Sequence, residues 1–539
     1  MITGAEAIVK SLENEGVSVV FGYPGAAICP FYDALTKSGN IRHILVRQEQ
    51  NAGHAANGYA RMTGKPGVCI ATSGPGATNL ITALATAYMD SIPVVAITGQ
   101  VSSDLLGRDV FQEADITGAA EPFTKYSYLL KNAANLPRII KEAFYIAGSG
   151  RPGPVLIDIP VDVQKAKLEF SYPSEVNIRG YKPSVKGNFM QIKRVCAELH
   201  KAKKPLICAG GGVISADAGK ELAAFSEKYH IPVVSTMMGI GVMPPAHPLY
   251  LGMIGMHGLK AANRALSEAD LLMIIGARVG DRAVATPDAL ENRSVIVHID
   301  VDPAEIGKNV GTNIPLVGDA KTVFRQLLEQ TVEADFSEWS SYLTEIKNIR
   351  NIDDKERTGC INPKAFIKTL CEKCEDNACV VADVGQNQIW SANYYAVQNG
   401  RFLTSGGMGT MGYSLPAAMG AKAADPDRQV IAICGDGSMQ MMMMELATIC
   451  QHDLPLKVIV MKNTRLGMVR ELQAKLYHKN YSAVFLDKSP DFLLLAKAYG
   501  IKAKRVDNDR DVPAVIDELL SEKESMLLEC VVDPEESSI

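Results

Sequence analysis

The chain has 539 residues, enough for three or four domains of about 150 residues each, and its composition, 47% hydrophobic and 21% charged, predicts packed cores rather than long disorder. Net charge is −5 with no lysine- or arginine-rich stripe, which argues against a nucleic-acid or anionic-membrane surface. Apolar runs such as 271–275 and 430–434 have strand length, none approaches the roughly 18 residues of a spanning helix, and the eleven cysteines are scattered (Cys69, Cys208 and Cys434 inside apolar runs), the usage of a reduced, cytoplasmic chain.

The opening MITGAEAIVKSLENEGV reads as an amphipathic helix with no signal or transit peptide ahead of it. Strand-like runs then alternate with helical patterns, which predicts an α/β protein built on parallel sheets with crossover helices. Two stretches break the rhythm, 165–187 with Pro173 and Pro183, and 334–363. Read as linkers, they divide the chain into three doubly wound parallel-sheet domains, 1–165, 188–333 and 364–539.

In the first domain, residues 21–35 read FGYPGAAICPFYDAL, 45–61 read LVRQEQNAGHAANGYAR, 72–79 read TSGPGATN and 108–115 read RDVFQEAD. Glu49 falls where a helix starts; by itself, a glutamate in a first turn complements the helix dipole and no more. In the middle domain PLICAGGGV (205–213) is a strand running into a glycine turn, a weak signal alone. TMMGIG (236–241), GMIGMHGLKAAN (252–263), GARVGDR (276–282), HIDVDPAEI (298–306) and Gly318–Asp319 follow. His257 and His298 individually read as structural histidines, and Arg282 as a surface arginine paired with Asp281. In the third domain CEKCEDNAC (371–379) offers Cys371, Cys374 and Cys379 without an evident fourth ligand, so free thiols are expected. SGGMGTMGYSLPAA (405–418) predicts a loop and a helix start.

The strand QVIAIC (429–434) runs into Gly435, Asp436, Gly437 and Ser438, then into a helix that includes MQMMMM. A second strand, 456–461, ends at Lys462 and Asn463. In a right-handed βαβ unit the two strand ends lie side by side, so Asp436 and Asn463 reach the crevice where open sheets take ligands. Glycines admit phosphate oxygens to the backbone, the helix N-terminus favours anions, and carboxylate and amide oxygens suit Mg²⁺. A plain turn is the competing reading of GDG taken alone.

GDGS followed a βαβ unit later by KN resembles the diphosphate-binding motif of thiamine-diphosphate enzymes. With the segments quoted above, the chain is similar along essentially its whole length to the catalytic large subunits of acetohydroxyacid (acetolactate) synthases. The resemblance implies thiamine diphosphate, Mg²⁺ and a structural FAD. It implies decarboxylation of pyruvate and ligation to a second 2-ketoacid, pyruvate giving 2-acetolactate and 2-ketobutyrate giving 2-aceto-2-hydroxybutyrate, in branched-chain amino-acid synthesis. Its catalytic residues map to Glu49, set against the aminopyrimidine N1′, to Phe111 and Gln112 beside the reacting carbons, and to Arg282 at the substrate carboxylate. Its thiamine-diphosphate contacts map to Gly25, Glu49, Val384, Gly385, Gln386, Asn387, Gly409, Met411, Gly435, Asp436, Gly437, Ser438, Asn463, Gly467 and Met468. Its metal ligands map to Asp436, Asn463 and the backbone carbonyl of Arg465. Its flavin contacts map to Arg151, Gly211, Gly212, Thr236, Met256, His257, Gly276, Arg278, Arg282, Asp300 and Asp319. A homodimer or tetramer is implied, with first and third domains facing each other across a subunit boundary; a small regulatory subunit is left open. No nucleic acid or membrane is expected as a partner.

The chain departs from the usual family text at Ala26, Gln48, Asn51, Val161, Gly280, Asn387, Lys462 and Leu472. Leu472 stands where a tryptophan usually shapes the acceptor pocket, so a weak preference for 2-ketobutyrate is expected; Val161 removes a cation from the channel. Three alternatives compete. A flavin-dependent pyruvate oxidase would use the same scaffold, but the FQEAD, GMHG and GARVGDR segments favour the synthase. Glyoxylate carboligases lack the N1′ carboxylate, and Glu49 is present. A non-catalytic subunit would have lost Asp436, Asn463 or Glu49.

Overall fold

The computed structural model describes residues 1–347 and 356–539. Three six-stranded sheets, each wholly parallel, carry the chain. In spatial order the first sheet is Arg42–Leu45, Val19–Gly22, Gly67–Ala71, Val94–Gln100, Val155–Pro160 and Tyr126–Leu129. The third repeats that pattern with Arg401–Leu403, Cys379–Ala382, Val430–Gly435, Lys457–Lys462, Met526–Val531 and Lys502–Val506. Numbering strands by chain order within each sheet, both read 2-1-3-4-6-5. The middle sheet differs: Tyr250–Met253, Val233–Ser235, Pro205–Ala209, Leu271–Ile275, Val295–Asp300 and Ile314–Val317 read 3-2-1-4-5-6, the dinucleotide-binding order. Central strands such as Gly67–Ala71, Leu271–Ile275 and Val430–Gly435 are buried nearly end to end, as strands covered by helices on both faces must be.

In each sheet the winding direction reverses between strands 1 and 3, or 1 and 4 in the middle sheet, and the loops at their C-terminal ends diverge to leave a crevice. The residues after those strands include Gly25 and Thr72–Gly76, Gly211 with Gly276, and Gly385 with Asp436.

The two linker expectations need correction. Within 165–187, Lys167–Leu168 pairs antiparallel with Ile2–Thr3, and Phe170, Ile178 and Tyr181 pack on the first core. Within 334–363, Ser337–Lys347 is a helix whose Trp339 and Leu343 are buried in the middle core. Trp339 donates its indole N–H to the Pro205 carbonyl at 3.1 Å. Polar composition concealed both because isolated apolar residues (Leu168, Phe170 and Ile178 in the first stretch, Trp339 and Leu343 in the second) make the contacts. Residues 348–355 of that stretch lie outside the described residues.

First and third domains share one continuous core along helices Glu49–Thr63 and Ser414–Ala424. Gly58 lies against the Ala417 carbonyl and Gly420 against the Ala55 carbonyl so closely that neither position has room for a Cβ. Polar side chains bridge the same crossing. Tyr413 donates to Asn57 Oδ1 at 2.8 Å, and Arg61 pairs with Asp90 at 2.8 Å. Asp90 also accepts from the Gly407 N–H at 2.7 Å. Among the described residues no helix is long and apolar enough to cross a membrane.

Candidate active site

Asp436 opens helix Asp436–Met442 directly after strand Val430–Gly435. It is buried, and burial pushes its carboxyl up to about 6, while the Thr464 N–H, donating at 3.0 Å, and the Lys462 charge pull the other way. Asn463 lies just past the adjacent parallel strand, whose Met461 is in register with Gly435. The Asn463 side-chain oxygen accepts from the Arg465 N–H at 3.0 Å, and its amide donates to Gln386 Oε1 at 2.8 Å. The βαβ unit thus brings Asp436 and Asn463 together. The Arg465 side chain turns away to Asp487 and stacks over Phe485, leaving only its backbone at this place. Lys462 pairs with Glu529 at 3.4 Å.

Glycines line the approach. Gly385 sits at φ +141°, a conformation only glycine takes readily, at the head of helix Gln386–Tyr394. A Cβ on Gly467 would collide with Gln386 Oε1. Asn387 donates to the Asp383 and Ile433 carbonyls, so its own oxygen is turned toward Gly385 and Gly435. The Ser438 hydroxyl closes a cap with Gly435. Met411 reaches Gly437, and Val384 donates its N–H to Asp383 at 2.9 Å. Gly409, at φ +69°, lies on the exposed loop between them, and Met468 is half-buried beside Gly467. Donors here are oxygens, which fits a hard cation shared with a diphosphate.

Three acidic residues were missed by sequence reading. Asp383, wholly buried, accepts from the backbone N–H groups of Val384, Gly412 and Ser414 and so fixes two of the loops together. Glu471 accepts from Gln386 Nε2 at 2.5 Å and from the Ser538 N–H and hydroxyl at 2.8 Å each, strapping residues 535–538 onto the pocket wall. Glu445 is described below. A carboxylate just past a strand end, two residues before a glycine, was the signal available for Asp383; the other two carry none locally.

In the first domain Glu49 is the first residue of helix Glu49–Thr63 and is half-buried. Asn79 donates to its Oε2 at 2.9 Å. Gly76 lies close to its Oε1, and Gly25 packs on Thr72. The loop bearing Gln112, at φ +58°, crosses over Gly74, where a Cβ would lie 2.8 Å from the Gln112 carbonyl. Glu49, Gly25 and Gln112 therefore gather at one crevice, whereas Phe111 points outward at 85% exposure. Arg282 does not join them within this chain. It is 65% exposed, pairs with Asp281 at 3.6 Å and donates to Met256 Sδ at 3.4 Å.

The residues matched to a flavin sit at the C-terminal edge of the middle sheet. Gly212 donates to the Gly276 carbonyl at 2.9 Å, locking the two glycine turns at the switch point. Thr236 follows strand Val233–Ser235 and Asp300 ends strand Val295–Asp300, on opposite sides of the two central strands, and burial pushes Asp300 up to about 6. Arg151 reaches across from the first domain to Glu305 at 2.6 Å and Asp302 at 3.4 Å. Arg278 donates to the Met89 carbonyl, and the His257 carbonyl is held by Asn393 at 2.8 Å. Asp319 is occupied in capping helix Ala320–Leu328. His298 Nε2 and Glu305 Oε2 are buried without hydrogen-bond partners, and the strand order is that of a dinucleotide fold; both fit a bound dinucleotide.

Fold and site together define a thiamine pyrophosphate enzyme. Three family models match in order: the thiamine pyrophosphate enzyme N-terminal binding domain at residues 2–119, the central domain at 192–327 and the C-terminal binding domain at 383–530. The chain is 46% identical to a probable acetolactate synthase large subunit of Methanocaldococcus jannaschii, over 99% of this chain and 92% of that protein. It is 47% identical to the acetolactate synthase large subunit of Corynebacterium glutamicum, over 95% and 84%, and 44% identical to that of Lactococcus lactis, over 99% and 93%. The chain belongs to the acetolactate synthase large-subunit family of thiamine pyrophosphate enzymes.

Proposed function

We infer that this chain is the catalytic subunit of an acetolactate synthase, joining the two-carbon remnant of pyruvate to a second 2-ketoacid. The observation that carries the reading is near-full-length similarity to acetolactate synthases, with Asp436, Asn463 and Glu49 all in place. When bound, the thiamine ring system supplies the electron sink that pyruvate decarboxylation needs.

The chain's own residues do the rest. Asp436, Asn463 and the Arg465 carbonyl would hold Mg²⁺, and the glycine-lined head of helix Asp436–Met442 would take the diphosphate. Glu49 would hold a proton at the aminopyrimidine N1′, with Asn79 fixing its other oxygen. Gln112 would donate to the alkoxide that develops as the new carbon–carbon bond forms. Phe111, exposed in one chain, would exclude water once a second copy covers it. Glu49 makes its described contacts within the first domain and Asp436 within the third; we propose that the halves meet across a dimer boundary, where Arg282 would meet a substrate carboxylate bidentately. The middle-sheet crevice would hold FAD as a structural group.

Purified protein given pyruvate, Mg²⁺, thiamine diphosphate and FAD is expected to form 2-acetolactate, and to stop when thiamine diphosphate or Mg²⁺ is withheld. Bleaching of the flavin by pyruvate without oxygen, with acetate or acetyl phosphate as product, would overturn the reading in favour of an oxidase.

A further inference from the structure

The helical stretch that begins at Asp436 also reaches the first domain. Helix Asp436–Met442 runs into the single 3₁₀ turn Met443–Glu445 and then helix Leu446–Gln451. Glu445 ends at 0% exposure, in the seam between third and first domains. Its Oε1 accepts from the Arg47 backbone N–H at 2.9 Å and from Asn51 Nδ2 at 2.8 Å; its Oε2 accepts from the Thr448 hydroxyl at 2.6 Å. Arg47 and Asn51 stand two residues before and two residues after Glu49.

The same segment grips the strand leading into that turn. The Leu45 N–H donates to His452 Nε2 at 2.9 Å, and Arg47 Nη2 donates to Gln451 Oε1 at 2.6 Å. A carboxylate taken out of water is tolerated only when donors saturate it, and two of the three donors here belong to the turn that bears Glu49. Charge-assisted bonds are short and directional, so one oxygen fixes the backbone before Glu49 and the side chain after it. Asn51 is a departure from the glycine usual in the family text; without its side chain, Oε1 would keep only the Arg47 N–H.

We propose that Glu445, acting with Asn51, is a positioning residue for Glu49: it sets the helical turn from which Glu49 addresses the aminopyrimidine ring. The proposal rests on the role given to Glu49 above. It also joins the metal-binding end of helix Asp436–Met442 to Glu49 of the same chain through one rigid segment. In a dimer whose sites are shared between chains, that segment would run from one site to the other.

The test is the rate at which the C2 proton of thiamine diphosphate, bound to the holoenzyme without pyruvate, exchanges with solvent deuterium, read by NMR after acid quench. Calorimetric affinity for thiamine diphosphate and the thermal midpoint are measured alongside. A displacement of about 1 Å can cost about 100-fold, so Glu445→Ala is expected to slow exchange on that order and Asn51→Ala, which spares two of the three bonds, by about tenfold. Glu445→Gln keeps an oxygen for Arg47 and Asn51 and turns its amide to the Thr448 oxygen, so exchange should return to within about threefold of the parent. A purely structural role would lower the thermal midpoint of the alanine variants and leave exchange in the folded enzyme untouched; that result overturns the proposal. Should Glu445→Ala not fold, Asn51→Ala and Glu445→Gln decide. Glu49→Gln is the control: fast exchange there sinks the role of Glu49 itself, whereas slow exchange there with an unaltered Asn51→Ala sinks only the positioning role.

Discussion

Asp436 keeps its carboxylate in a pocket where burial favours the neutral acid, a cost that a bound divalent cation would offset. Replacing it with asparagine keeps an oxygen but removes the charge. Asp436→Asn is expected to weaken Mg²⁺ by more than about 100-fold, the upper figure for a mere supporting residue, as measured by calorimetric titration in the presence of thiamine diphosphate. Asp436 and Asn463 were legible in the sequence because one local βαβ unit brings them together. Glu445 and Glu471 were not: Glu445 meets Arg47 across 398 positions and Glu471 meets Ser538 across 67, and no periodicity encodes such encounters. Arg282 was assigned by resemblance alone, and nothing within one chain carries it to Glu49. Leu472, exposed on helix Gly467–Leu476, offers an aliphatic surface at the place that the resemblance gives to the acceptor pocket. One methylene is worth about 1–3 kcal/mol of discrimination, so Leu472→Trp is expected to raise the ratio of 2-aceto-2-hydroxybutyrate to 2-acetolactate in competition assays by about tenfold or more. An unchanged product ratio would remove Leu472 from the acceptor pocket.

At the scale of elements, two features stand out physically. The crossing of helices Glu49–Thr63 and Ser414–Ala424 brings backbone onto backbone. A methyl group at Gly420 would strike the Ala55 carbonyl, and overpacking of this kind costs about 1–3 kcal/mol. Gly420→Ala should therefore lower the thermal midpoint by several degrees, whereas Gly39→Ala, with open space around its Cβ, should not. The second feature is Asp158, buried between Thr98, donating at 2.7 Å, and Gln100, donating at 2.9 Å. Gln100 also donates to the Ala114 carbonyl at 2.8 Å and so ties down the loop that carries Gln112. Burial pushes Asp158 up to about 7, with Asp115 adding to the rise and the two donors opposing it. The folded chain thus binds the proton more tightly than the unfolded one. The stability this contributes is complete below about pH 4 and is lost as pH rises through about 7. Between pH 5 and pH 8 the parent should lose about 2–3 kcal/mol more than Asp158→Asn, read from urea midpoints; parallel losses would show that Asp158 ionises normally. Helices and central strands followed from periodicity, but the helix within 334–363 did not, because Trp339 and Leu343 are its only buried large apolar side chains.

Over the whole molecule, the first and third sheets share one strand order and the middle sheet has another, and the crevices fall where each order reverses. Residues 535–538 close the third crevice from outside: the Gln386 amide donates to the Glu536 carbonyl at 2.7 Å and the Trp390 indole to the Ser537 carbonyl at 2.9 Å. Deleting 535–539 should shift Trp390 fluorescence and weaken thiamine diphosphate by about tenfold, since a partner of Gln386 and Glu471 is lost. Unchanged emission would show that the strap is not closed in solution.

The crossing of the two long helices has a consequence for how the protein is made. Gly58 must wait for Ala417 to cover it, and the Asn57 oxygen, served locally by Arg61 at 3.0 Å, gains its second donor only from Tyr413, 356 positions later. On the ribosome, the N-terminal third therefore emerges with a raw flank of small and polar residues that no nearby sequence can cover. Transiently uncovered surface of this kind favours aggregation, so soluble yield from a recombinant host is expected to improve in the cold and on co-production of a holdase.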